Sequence, residues 1–158
     1  MSMREESIVA PGPGRRVRLL GVPPQLVLDD LTHRRALVWE LRLVEIGRDH
    51  RGLDVGAEIA QLIEDLLVDP MPVDAVEEEA RLAVEAGRPS IDIELSVPVT
   101  AREATANLVD ALERADKVAR DKQLLTLAAG SEIVALRRWL ADETARQLDG
   151  APPTGWPG

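Results

Sequence analysis

The sequence contains no cysteine, phenylalanine or tyrosine, and Asn107 is its only asparagine. Without cysteine there is no disulfide, no thiol nucleophile and no thiolate metal site, and the chain suits a reducing compartment. Without Phe and Tyr the core must be built from Leu, Val, Ile and Ala, with Trp39 and Trp139 as the large aromatic fillers ahead of the tail. Lysine is scarce too: of 19 basic residues 17 are arginine, and only Lys117 and Lys122 are not. The depleted residue types share AT-rich codons, so this bias points to GC-rich coding before it points to a function. No apolar run approaches the ~18 residues that span a bilayer. The opening MSMREES lacks the apolar stretch of a secretory signal, and a cytoplasmic location is expected.

Catalytic signatures are equally scarce. There is no glycine-rich phosphate loop after a strand, no Gly-Lys-Ser/Thr, and no Ser/His/Asp arrangement. The 28 acidic residues supply carboxylate pairs by chance, with none singled out for acid–base work. The expectation is a protein without catalytic activity, cofactor or metal.

A net charge of −9 opposes binding to nucleic acid or anionic membrane. The charge is concentrated: residues 53–99 hold 12 acidic side chains against 2 basic ones. That segment is either a face for a basic partner or a solubilising surface. At 158 residues the chain suits one domain that buries about 70% of its unfolded surface.

The pattern predicts a mainly α fold, about five helices in a bundle with short extended segments at 17–20 and 91–97. Residues 1–15, with Pro11-Gly12-Pro13-Gly14, are expected to form a flexible arm. Residues 16–150 are expected to form a single helical domain, and 151–158 a Pro/Gly/Trp tail. A first helix at 25–46 is favoured by Val27, Leu31, Leu37, Leu41 and Val44, with Gly47 as its stop. Leu37, Trp39, Leu41 and Leu43 also alternate as in a strand, so a strand at 36–46 is the alternative. A second helix at 55–68 carries the stripe Ile59, Leu62, Ile63, Leu66 and Leu67, with Asp54 as its cap and Pro70 and Pro72 beyond it. A third, at 75–86, follows an Asp74/Glu77 capping box. A fourth, at 101–120, follows Thr100/Glu103 and carries the pairs Glu113–Lys117 and Asp116–Arg120 on its outer side. The fifth, at 132–148, is capped by Ser131 and turns Ile133, Leu136, Leu140 and Leu148 inward. Between the third and fourth, Ile91, Ile93, Leu95 and Val97 alternate with polar residues as in a half-buried strand. A strand needs a partner for its backbone groups, and Arg16-Val17-Arg18-Leu19 is the available complement.

Two groups of residues invite a functional reading. Asp29, Asp30 and His33 fall within one helical turn, the donor set of a weak metal or ligand site; His50 reads as a loop residue. Arg137, Arg138 and Trp139, joined by Trp156 if the tail folds back, would form an aromatic and cationic patch suited to a protein partner.

Residues 124–158, with Leu124-Leu-Thr-Leu-Ala128, a helix bearing Arg137-Arg138-Trp139, and a tail of form G-x-P-P-x-x-W-P, resemble a helical module of actinobacterial regulators. That module accompanies histidine-kinase-like ATP-binding proteins of the anti-sigma type. Neither an N-box nor a glycine-rich lid occurs here, so the resemblance implies a sensory or protein-interaction unit and not a kinase. The expected partner is a signalling regulator, and a homodimer is compatible with the sequence.

Overall fold

The alternation at 91–97 becomes a strand, β2 (Ile91–Pro98), with its odd-numbered residues buried and its even-numbered ones exposed. It pairs antiparallel with β1 (Gly14–Val22), Val17 opposite Leu95 and Leu19 opposite Ile93, so both strands turn one apolar face inward. These observations come from a computed structural model describing residues 14–49, 56–121 and 124–158; for residues 48, 49, 56 and 57 only the backbone is described. Strand β1 begins at Gly14, inside the expected arm, whose residues 1–13 lie outside the described ones. Arg16 and Arg18 reach Glu94 at 3.6 and 4.0 Å. Asp92 has a different role and accepts a 2.8 Å hydrogen bond from the backbone N–H of Gly21. The ladder shifts register between Leu19 and Val22, and Gly21 supplies the positive φ of 68° at that irregularity.

Among the described residues five helices follow: α1 (Pro24–Asp49), α2 (Gly56–Leu67), α3 (Val73–Glu85), α4 (Ala101–Asp121) and α5 (Ser131–Leu148). The protein is thus mainly α with a two-stranded sheet. Residues 36–46 are helical, and α1 continues through Gly47; one glycine costs a helix only about 1 kcal/mol and stops it weakly. The Asp74/Glu77 capping box does not form. Pro72 is the N-cap of α3, and Asp74 lies in the first turn, where its charge favours the helix dipole. Likewise Ser131 is the first residue of α5, after Gly130 at the N-cap. On α4, Glu113 pairs with Arg138 and Lys117 with Asp121, while Asp116 turns inward, so neither expected i, i+4 pair is made. Asp54 and His50 lie outside the described residues.

The apolar interior has two parts joined by α1. Its N-terminal half, with Val27 and Leu31, packs with the inner sheet face, α3 and Leu136 of α5. Its C-terminal half, with Leu37 and Leu41, packs with α2 and α4. Among the described residues no helix is long and apolar enough to cross a membrane.

Candidate functional site

Asp30, His33 and Arg34 lie on α1 where those two apolar sets meet, and a buried polar network grows from them. Arg137 of α5, 2% exposed, donates from Nε to Asp30 at 2.6 Å and from Nη1 to Asp116 of α4 at 3.4 Å. Its Nη2 lies 3.0 Å from His33 Nδ1. A guanidinium only donates, so Nδ1 accepts and the imidazole proton sits on Nε2, which donates to the Leu127 carbonyl at 2.7 Å. Arg34 bridges the other Asp30 oxygen at 2.8 Å and Asp69 at 2.9 Å. Asp116 also accepts from the backbone of Ala129 at 3.2 Å, and Asp69 from that of Met71 at 2.9 Å. The network therefore ties α1, α4, α5 and two connecting loops together. Charges this deep are tolerated because each has an opposite charge or a directed hydrogen bond.

Of the sequence-derived metal set, Asp30 and His33 enter this network, but Asp29 does not. It lies on the exposed side of α1 and accepts a 2.9 Å hydrogen bond from Gln25. Both His33 nitrogens are occupied by protein groups. Among the described residues no three His, Asp or Glu side chains form a metal-binding group.

The proposed partner patch is split. Trp156 does fold back on Trp139, edge to face with ring centroids 5.4 Å apart. The tail is fixed along its length: Trp156 N–H donates to the Leu20 carbonyl at 2.9 Å, and Gly155 bridges β1 as a short parallel neighbour. Yet Arg137 and Arg138 point about 100° apart, as consecutive helical residues must. Arg137 follows Leu136 into the interior, and only Arg138 is exposed, paired with Glu113 at 2.9 Å. Both tryptophans are half-buried against the sheet-side core. Arg137, Trp139 and Trp156 are therefore integrated into the fold and offer a partner little free surface.

Holding the tail is Glu143 of α5, 2% exposed. It accepts from Arg146, Gln147 and twice from Thr154. Burial pushes its pKa up, but hydrogen bonds from the Thr154 backbone, Gln147, the Thr154 hydroxyl and Arg146 outweigh it and hold the carboxyl below its ordinary range. Glu40 repeats this on α1: burial is outweighed by hydrogen bonds from Thr126 and from the Leu125 backbone, which order the α4–α5 loop.

The surface that is free lies elsewhere. Trp39, Leu43 and Ile46 on α1 are 66%, 51% and 55% exposed. At 3.6 residues per turn they form one stripe, roughly opposite the stripe Leu37, Leu41 and Val44 that faces the core. Leu67 of α2 joins Trp39 in lining a groove with Val38, Leu66, Arg35 and Arg42. Arg35 is tied to Glu77 at 2.6 Å; Arg42 forms no ion pair among the described residues. The alternation 37, 39, 41, 43 was the signal for this surface. Two i, i+4 pairs offset by two residues are the two opposite sides of one helix, and they imitate a strand. No family model matches the sequence, and no curated protein or solved structure matches it.

Proposed function

We propose that the protein is a non-catalytic regulatory module of bacterial signalling that acts by binding another polypeptide through the outer face of α1. The observation that carries this reading is the solvent-facing stripe Trp39, Leu43 and Ile46 on a helix already apolar toward the core. A patch of this kind, with tryptophan at one end, is what a protein interface uses for its anchor. A non-catalytic role is supported by the saturation of His33, Asp30, Asp116 and Glu143 with protein partners. The link to signalling rests on the resemblance of residues 124–158 to helical modules beside anti-sigma-type ATP-binding regulators. The test is photo-crosslinking in the native host, with p-benzoylphenylalanine placed at position 43 and, as control, at position 142. Protein adducts at 43 and not at 142 support the reading; their absence at 43 overturns it.

A second reading, small-molecule binding near Asp30, is favoured by a cavity of about 70 Å³ between the sheet and the helices. It is lined by Leu19, Ile93, Leu136, Asp30, Arg34 and Thr105 among others. Arg34 Nε and Thr105 Oγ1 are buried without a hydrogen-bond partner among the described residues. Short-chain alcohols and amides would offer the missing acceptor, and a concentration-dependent rise in melting temperature would support this reading.

A further inference from the structure

Building on the small-molecule reading above, we infer that the cavity beside Asp30 takes one small uncharged molecule, an oxygen acceptor on a short apolar body, admitted past the Arg34–Asp69 ion pair. Size, the polar end of the cavity and its outer wall each bear on this.

A cavity of about 70 Å³ is several times what one water needs and about half of what admits benzene. That space suits a molecule of about three to five non-hydrogen atoms. Most of its wall is apolar, with Leu19, Ile93 and Leu95 from the sheet and Leu31, Leu108 and Leu136 from the helices. Waters filling this part would find few hydrogen-bond partners, whereas an apolar body needs none.

The polar end sets the chemistry of the ligand. Arg34 and Thr105 both line the cavity, and Arg34 Nε and Thr105 Oγ1 are buried with no hydrogen-bond partner among the described residues. Arg34 commits Nη2 to Asp30 and Nη1 to Asp69, while Nε, which can only donate, lacks an acceptor. Thr105, 5% exposed on α4, does not turn its hydroxyl back onto the carbonyls of its own helix. An oxygen acceptor is what both groups lack. Three carboxylates, Asp30, Asp69 and Asp116, already face two guanidiniums, Arg34 and Arg137. An anionic ligand would add a fourth, and an ammonium has no lone pair to offer Arg34 Nε. Either ion would also lose its water against an apolar wall. An alcohol or ketone brings the acceptor without the charge.

The way in is a shared wall. Leu31, Arg34, Asp69 and Val73 line the cavity and also the groove beside Trp39 on the outside of the molecule. Asp69 lies on the connector between α2 and α3, where it accepts from the backbone N–H of Met71, another residue lining the cavity. The 2.9 Å pair between Arg34 and Asp69 fastens this connector to α1, and its two side chains are 19% and 18% exposed. Parting that pair joins the cavity to the groove.

The experiment is a methyl NMR titration of the full chain at neutral pH with 1-propanol, propanoate and propylammonium, on the wild type, Thr105→Val and Asp69→Asn. Circular dichroism on each variant verifies the fold. Propanol should shift the methyl signals of Ile93, Leu95 and Leu136 saturably, with both ions at least about tenfold weaker. Thr105→Val keeps the shape of the side chain without its hydroxyl and should raise the dissociation constant of propanol about fivefold. Asp69→Asn can still accept from Met71 but loses the ion pair with Arg34. It should speed the exchange of bound propanol about threefold or more, a larger factor than its change in dissociation constant. An ion that binds as tightly as propanol overturns the inference, as does an unaltered affinity in Thr105→Val or an unaltered exchange rate in Asp69→Asn. Each of these results leaves the small-molecule reading standing. Absence of saturable shifts with all three probes overturns that reading as well and leaves the cavity to water.

Discussion

Thr154 donates two hydrogen bonds to the buried carboxylate of Glu143, one from its backbone N–H and one from its hydroxyl, both 2.8 Å long. This clasp holds the tail on α5 and places Trp156 against Trp139. It makes a sequence-distant arrangement depend on the ionisation of one side chain. The folded state holds the Glu143 carboxyl below its ordinary 4.5, so it binds that proton less readily than the unfolded chain does. The stability from Glu143 is therefore complete above the ordinary value and is lost as pH falls through the lower folded value. Glu40 acts in the same direction. Tryptophan fluorescence should report tail release on acidification below about pH 4.5, and Glu143→Gln should show a weakened tail already at neutral pH. A spectrum of Glu143→Gln identical to wild type throughout would contradict the clasp.

Arg137 and Arg138 are adjacent in sequence and opposite in consequence. Arg137→Ala leaves Asp116 buried without a guanidinium and Asp30 with Arg34 alone, and is expected to cost about 3–5 kcal/mol. Arg138→Ala removes one exposed ion pair and should change stability by less than about 0.5 kcal/mol. Urea unfolding of the two variants decides this; near-equal losses would mean the network does not hold α1, α4 and α5 together.

Deleting residues 151–158 uncovers Trp139 and leaves the backbone of Leu20 without its partner. Since Trp156 is half-buried, the expected loss is about 1–3 kcal/mol, below the range for a fully buried tryptophan. Thermal unfolding of the truncated chain measures it. An unchanged melting temperature would show that the tail adds no net stability.

The architecture was largely legible from periodicity because each element has a strong local signal. The strand at 91–97, its arginine-bearing partner and four of the helices follow from period and breakers alone. Helix caps were less legible, since Asp74 and Ser131 suit a first turn as well as a cap and the backbone geometry decides. The inward turn of Asp116 and Arg137 was not legible at all. A charged residue on a helix reads as exposed unless its partner, here 21 residues away in the chain, is known to face it. The outer stripe of α1 was visible as an ambiguity between helix and strand, and the structure gives that ambiguity a physical meaning.

Two substitutions on α1, two residues apart, separate the role of its inner face from that of its outer one. Leu41 is fully buried against α2 and α4, so Leu41→Ala removes packed methyl groups and leaves a cavity that the surrounding helices fill only in part. A loss of about 2–5 kcal/mol is expected, with an earlier urea midpoint and an unchanged slope. Trp39 is 66% exposed, and Trp39→Gln removes an aromatic ring from water. Stability should shift by less than about 0.5 kcal/mol, while the protein adducts proposed at position 43 should be lost. Urea unfolding measures the first effect and crosslinking in the native host the second. If Trp39→Gln lowered stability as much as Leu41→Ala does, the outer stripe would be part of the core and not an interface. If it left both stability and crosslinking untouched, the stripe would be exposed apolar surface with no role in binding.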